Sequence, residues 1–282
     1  MNRRLIIPIL GVFCAMLCLS CTVQAGRSVR GSGRVTEETH KLRGFTGVEL
    51  ASFGNLYIKM GAREQLRVEA EENLHDYLEF EVRNKTLVIR TKRHVNLRPK
   101  KPVNFYLTAK KLDRIELSGC GDIEAPDMKG KRISISISGA GDIQTGDLEA
   151  DEVMLEVSGA GDLDVAGIEA GELEFSISGA GNMEIGDVDA ETAELEISGA
   201  GNAAISGGQI NRQDIMISGT GDYRARRVKS YDADVVVSGC GSATIHVIDR
   251  LEAIVSGTGD VRYVGNPNVR ASVTGAGDLE RI

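Results

Sequence analysis

Tryptophan is absent from this 282-residue chain, and phenylalanine and tyrosine together make up only 4% of it. Aromatic platforms of the kind that grip a polysaccharide for cleavage are therefore not expected. The four histidines, His40, His75, His94 and His246, are scattered along the chain with no ligand spacing for zinc. No Gly-x-Ser-x-Gly nucleophile elbow occurs. Gly-x-Gly-x-x-Gly and a Walker lysine are missing too, so nothing supports nucleotide binding. Beyond residue 25 no apolar stretch is long enough to cross a bilayer as a helix. Carboxylates abound, but they recur at so many equivalent positions that no acid–base pair stands out. No catalytic, cofactor-binding or metal-binding residue is expected, and the chain does not read as an enzyme.

What the chain has in abundance is a repeat. Ser-Gly-x-Gly begins at Ser118, Ser138, Ser158, Ser178, Ser198, Ser218, Ser238 and Ser256, and Thr-Gly-Ala-Gly at Thr274. The first seven starts are 20 residues apart and the last two steps are 18. A fixed period in this range marks stacked units, none of which can bury a core alone. Ahead of each motif, apolar and polar residues alternate. Ile133, Ile135 and Ile137 are followed one period later by Val153, Leu155 and Val157, then by Leu173, Phe175 and Ile177. Alternation at period two is a strand with one buried face. After the glycines, apolar pairs return at Ile143/Thr145 and Leu148/Ala150 and at their equivalents. Three inward faces per period describe a three-sided coil, with a perimeter of about 65 Å at about 3.3 Å per extended residue. The expected fold is all-β: a single-stranded parallel β-helix, or β-solenoid, of about 20 residues per coil, with coils about 4.8 Å apart. β-Branched alternation and a glycine pair in every copy exclude a helical solenoid. The glycines are expected to adopt positive φ or to leave room where the coil turns sharply.

The residue following each glycine pair is Asp122, Asp142, Asp162, Asn182, Asn202, Asp222, Ser242, Asp260 or Asp278. Stacked in register, neighbouring carboxylates repel by roughly 1 kcal/mol in water, and nearby backbone N–H groups are expected to take up their charge. The alternative is a calcium ladder along Asp122, Asp142 and Asp162. The 20-residue period and the interruptions at Asn182, Asn202 and Ser242 weigh against it. Of the five cysteines, Cys14, Cys18 and Cys21 lie near the N-terminus, while Cys120 and Cys240 share one repeat position six copies apart. One coil per copy separates that pair by about 29 Å, beyond the roughly 7 Å limit for a disulfide. No bridge is expected.

In chain order, residues 1–25 read as an export signal. Arg3 and Arg4 start it, Leu5 to Leu19 form its apolar core, and Val23-Gln-Ala25 makes a small-residue cleavage site. A competing reading is a lipoprotein signal ending before Cys21, which would then carry a lipid anchor. Residues 26–33 read as a polar tether. Residues 34–112 are β-rich, with Glu71–Tyr77 as a helical turn or loop and a hairpin over Arg83–Thr86. They are expected to form an N-terminal cap and the first irregular coils, with a separately folding domain as the alternative. Residues 113–282 are the regular repeat. Charge is uneven: by count residues 34–112 balance at +6 and residues 113–210 at −18. An acidic rod argues against nucleic acid and against anionic lipid as partners. Arg90, Lys92, Arg93, Arg98, Lys100 and Lys101 form a basic cluster, either a solvated face or a seat for an anionic glycan or a neighbouring acidic rod.

Gly44-Phe-Thr-Gly-Val-Glu-Leu50, Leu56-Tyr-Ile-Lys-Met-Gly61, Leu66-Arg-Val-Glu-Ala-Glu-Glu-Asn-Leu74 and the Ser-Gly-Ala-Gly-Asp run resemble the head GIN domain proteins, a family of bacterial envelope proteins proposed as auto-transporter adhesin heads. The resemblance implies an exported, non-catalytic solenoid of the periplasm or cell surface. It provides no catalytic residues to carry over. The expected partner is a protein or glycan held on the flat faces. Self-association into a homo-oligomer is the second reading, and a glycan-active β-helix enzyme the third.

Overall fold

The computed structural model describes residues 27–282. The export signal and the anchor alternative at Cys21 lie outside the described residues. The leading part comprises β1 (Arg27–Arg30), β2 (Val35–His40), β3 (Gly47–Ala51), β4 (Asn55–Met60) and β5 (Gln65–Glu71), then a 3-10 helix (Glu72–Tyr77). It continues with β6 (Leu78–Arg83), β7 (Thr86–Thr91), β8 (Val95–Arg98) and β9 (Asn104–Ala109). The repeat holds β10 (Arg114–Leu117), β11 (Ile123–Ala125), β12 (Met128–Ile137), β13 (Ile143–Val157), β14 (Leu163–Ile177), β15 (Met183–Ile197) and β16 (Ala203–Ile217). It ends with β17 (Tyr223–Val237), β18 (Ala243–Val255), β19 (Val261–Val264), β20 (Asn268–Val273) and β21 (Leu279–Arg281).

From β10 to β21 every ladder is parallel. Leu155 pairs with Phe175 and Phe175 with Leu195, a shift of 20 residues per rung. The alternating aliphatics form continuous inward columns, and Ile135, Leu155, Phe175 and Leu195 are all buried. Leu148, Ile168 and Val188 fill the third face. The chain is a β-solenoid of three-sided coils with roughly 20 residues per turn, as its period implies.

Packing between rungs explains the repeat motif. The repeat glycines do not use left-handed backbone; positive φ among described glycines occurs at Gly33, Gly44, Gly54, Gly208 and Gly265. A Cβ on Gly179 would instead lie 2.0 Å from the Gly159 carbonyl oxygen, and one on Gly181 1.9 Å from that of Gly161. Close backbone approach at the turn, not handedness, therefore demands glycine. The residue between the glycines is not so confined, and Cys120 and Cys240 stand there as free, exposed thiols. At the next position each side chain reaches one rung along. The Asp162 N–H donates to Asp142 Oδ1 (2.8 Å), Asn182 to Asp162 (2.7 Å), Asn202 to Asn182 (3.0 Å) and Asp222 to Asn202 (3.0 Å). Ser242 and Asp260 continue the series. The charge is taken up by backbone N–H groups, but those of the following coil.

Two irregularities are absorbed in the core. Gln213 and Tyr223 both point inward within one turn, and the Tyr223 hydroxyl donates to Gln213 Oε1 at 2.8 Å. Their column neighbours are all alanine: Ala193 and Ala233 beside Gln213, Ala203 and Ala243 beside Tyr223. Small residues above and below make room for the large ones, preserving packing density. The 18-residue step is taken up in β18 by two register shifts against β17, one between Arg224 and Lys229 and one between Ser230 and Asp232. The buried Ser230 hydroxyl donates to the His246 carbonyl oxygen there, at 3.0 Å.

The leading part stacks out of chain order. β3 lies between β7 and β10, and β4 between β9 and β11, all parallel. The coil formed first, β3–β4, is thus sandwiched, and β7–β9 becomes the terminal coil. Its outer edges are covered by antiparallel partners: β6 on β7, β5 on β9, and β2 on β5. This closes strand edges that would otherwise template pairing. The β6–β7 turn holds Asn84 and Lys85 at positive φ, the twist a two-residue hairpin requires. Residues 27–33 fall in the stretch read as a polar tether. Within them β1 runs parallel to β8, with Arg27 opposite Val95 and Arg30 opposite Arg98. The buried Glu71 carboxylate locks this ribbon down by accepting the N–H groups of Gly33 and Lys100, the latter at 2.8 Å.

Candidate binding faces

Because inward positions are filled by the core, only outward columns can meet a partner. On the face after the glycine turn, Tyr57 continues into Glu124, Gln144, Asp164 and Glu184. Beside this column runs the row of Asp122, Asp142 and Asp162. A shallow groove of about 330 Å³ lies between Asn55, Tyr57, Asp122, Glu124, Gln144 and Asp164. Tyr57 ends a stack: its ring lies 5.3 Å from that of Tyr106, and the Arg67 guanidinium covers Tyr106 at 4.0 Å. Burial, together with the carboxylates of Glu184, Asp162 and Asp142, pushes Asp164 above its ordinary pKa. Among the described residues Glu124, Asp164 and Glu184 make no ion pair, whereas further along the face Arg224 pairs with Asp222 and Arg262 with Asp260.

The face before the glycine turn changes character along the rod. Its outward row reads Glu116, Ser136, Glu156, Ser176 and Glu196, and then Met216, Val236 and Ile254. Met216 is 51% exposed and Ile254 44%. Three consecutive apolar residues on a solvent-facing row lie where five polar ones precede them. The neighbouring row is charged. Arg212 pairs with Asp214 at 3.1 Å and Asp234 at 2.8 Å, and Arg250 approaches Asp234 at 3.7 Å. Burial raises the Asp234 pKa, opposed by those two arginines.

The structure spreads some of the sequence candidates and gathers others. In the basic cluster, Arg90 is neutralised by Glu79 at 3.0 Å and Glu81 at 3.8 Å. The other five cations make no ion pair among the described residues. Two of the four histidines do meet, contrary to their scatter in sequence. His40 Nε2 and His75 Nδ1 each lie 3.8 Å from Glu38 Oε2, because the 3-10 helix folds His75 back under β2. The His75 Nε2–H faces the Thr36 carbonyl oxygen at 3.2 Å. Among the described residues no group of three His, Cys, Asp or Glu side chains is arranged to hold a metal ion. No described helix is long and apolar enough to cross a membrane. The apolar row had a sequence signal, since Met216, Val236 and Ile254 occupy polar alternation positions. Only the register shows that they adjoin.

Solved structures share this architecture. A "putative adhesin" of Parabacteroides merdae superposes with a TM-score of 0.67 at 21% identity, covering 91% of this chain and 100% of its own. A "putative adhesin" of Parabacteroides distasonis gives 0.66 at 22%, covering 90% and 100%. A "putative lipid binding protein" of the same species gives 0.64 at 20%, covering 91% and 100%. At such identities the likeness concerns the fold. No curated protein matches the chain. The family model described as "Putative auto-transporter adhesin, head GIN domain" matches residues 44–207 and 168–267. Its matches reach from the cap coils to the last turns of the rod, and the chain belongs to that family.

Proposed function

We propose that the chain is an exported, non-catalytic solenoid of the bacterial cell envelope that binds a protein or glycan partner through its faces, as an adhesin does. The observation that carries this reading is the Met216–Val236–Ile254 row. It leaves large apolar side chains facing outward in a row whose preceding positions, Glu116 to Glu196, are serine or glutamate. Such a patch has no role in the fold and favours an interaction surface, with apolar centre and charged rim. Membership of an adhesin family supports the same reading.

The test is binding of the labelled chain to bacterial and host surface proteins and to a glycan array, with and without calcium. Met216→Glu combined with Ile254→Glu places in the row a residue that Glu156 and Glu196 show it accommodates. Binding by the parent and at least tenfold weaker binding by the folded double variant is the expected result. Equal binding by both sinks the reading, and a calcium requirement would revive the Asp122/Asp142/Asp162 ladder. Self-association is the second reading. It rests on β20, which among the described residues pairs only with β18 and leaves Val269 and Val273 38% and 44% exposed. A strict monomer by light scattering at high concentration would remove it.

A further inference from the structure

The β1–β8 ribbon stands apart from the solenoid sheet and collects cations from two distant stretches of chain. Arg27 and Arg30 come from β1; Lys92, Arg93, Arg98, Lys100 and Lys101 come from β8 and its flanks. All seven are exposed, and none has an ion-pair partner among the described residues. Neither residues 27–34 nor residues 92–103 contain a carboxylate. The nearest acid, Glu71, is buried and committed to backbone N–H groups, although its charge also reaches Lys100. Arg30 and Arg98 are register partners, side by side across a parallel pair. Like charges so placed destabilise a ladder, and nothing in the fold compensates them. Four paired residues span about 13 Å, so the cations crowd one small end of the rod.

We infer that this ribbon is a docking surface for an anionic phospholipid bilayer, holding the cap against the membrane and directing the acidic rod away from it. Three observations favour a membrane over other anions. The patch is an open cluster of exposed charges rather than a pocket, which suits a plane of headgroups. The described residues begin at Arg27, inside this patch, and the segment read as an export or lipoprotein signal immediately precedes it in sequence. Residues 113–210, at −18 by count, are repelled by the same surface, which fixes the orientation. Glu71 sets the geometry by tying Gly33 and Lys100 together and so bringing the two basic stretches alongside each other. The inference stands apart from the apolar row, which lies on later coils.

The experiment uses the chain from Gly26 onward, which contains every described element and no acyl chain at Cys21. It is co-sedimented with vesicles of phosphatidylcholine alone and of phosphatidylcholine mixed with phosphatidylglycerol. Binding is expected only to the mixed vesicles, falling steeply with added salt. At about fivefold per cation, Arg30→Gln with Arg98→Gln should weaken it roughly 30-fold. Lys100→Gln with Lys101→Gln should do the same independently. Glu172→Gln with Glu174→Gln, on the rod, should not weaken it. Removing a like-charged pair should leave the melting temperature unchanged or raised, which separates lost docking from lost folding. Equal partition onto both vesicle types overturns the inference, as does binding indifferent to the cap substitutions. Low-salt self-association without vesicles, abolished by the same substitutions, would assign the patch to the acidic rod of a second copy instead.

Discussion

The Gln213–Tyr223 pair offers the sharpest test of how this core is built. Both side chains lie inside the solenoid, each about 1% exposed, and share a single hydrogen bond of 2.8 Å. Gln213 Nε2 is buried with no partner. Replacing Tyr223 by phenylalanine keeps the ring between Ala203 and Ala243 but strips Gln213 Oε1 of its donor. A buried polar group left unpaired costs about 1–3 kcal/mol, so Tyr223→Phe alone should destabilise by about 2 kcal/mol. Gln213→Met keeps the length of the side chain between Ala193 and Ala233 and removes both amide atoms. In that background Tyr223→Phe removes the only remaining polar group, and its cost should fall below about 0.5 kcal/mol or change sign. The assay is equilibrium urea unfolding of the four proteins, with equal m-values required so that the same unit is compared. If Tyr223→Phe costs the same in both backgrounds, the pair is not energetically coupled and the reasoning fails.

Gly179→Ala should destabilise by about 3 kcal/mol or more, because its Cβ would press on the Gly159 carbonyl oxygen at 2.0 Å and force two rungs apart. Ala180→Cys, one residue on, should be neutral within about 0.5 kcal/mol, and thermal melts of the two variants compare the positions directly. Glu71 should make the cap acid-sensitive. Burial alone would raise its pKa, but the N–H groups of Lys100, Gly33 and Lys101 and the charge of Lys100 outweigh that and lower it below 4.5. A depressed carboxylate contributes stability above its unfolded pKa and loses it as pH falls through the folded value. Amide exchange at Gly33 and Lys100 should therefore accelerate below about pH 4.5, ahead of the rod amides. In Glu71→Gln that pH dependence should vanish.

Much of the architecture was legible because a stacked repeat writes its contacts into local sequence. The alternation of Ile133, Ile135 and Ile137 names the buried face, and the 20-residue spacing names each residue's neighbour on the next rung. The role of the Asp142 row was half visible: that backbone N–H groups take up its charge follows from residue type, but not that they belong to the following coil. The two explanations open for the repeat glycines could be separated only by seeing the carbonyl oxygen of the previous rung. Residues 34–112 were legible as strands but not in their order. Antiparallel and parallel pairings of β5, β7 and β9 depend on which edges need covering, and no period records that. The candidate faces were readable as composition and not as surface. The five polar residues preceding Met216 and the two apolar ones following it become a row only once register is known.

The sequence alone determined the class of fold, the length of the coil, the identity of the inward columns and the impossibility of a Cys120–Cys240 bridge, since each follows from periodicity and the rise per rung. Tertiary structure alone decided that β3–β4 is sandwiched beneath the repeat. It also decided that Glu38 lies between His40 and His75, that Arg27 and Arg30 join the basic cluster, and that Gln213 finds Tyr223 across the core. Those are meetings at chain separations that no repeat imposes. They are set by which strand edges must be closed and where small neighbours leave space.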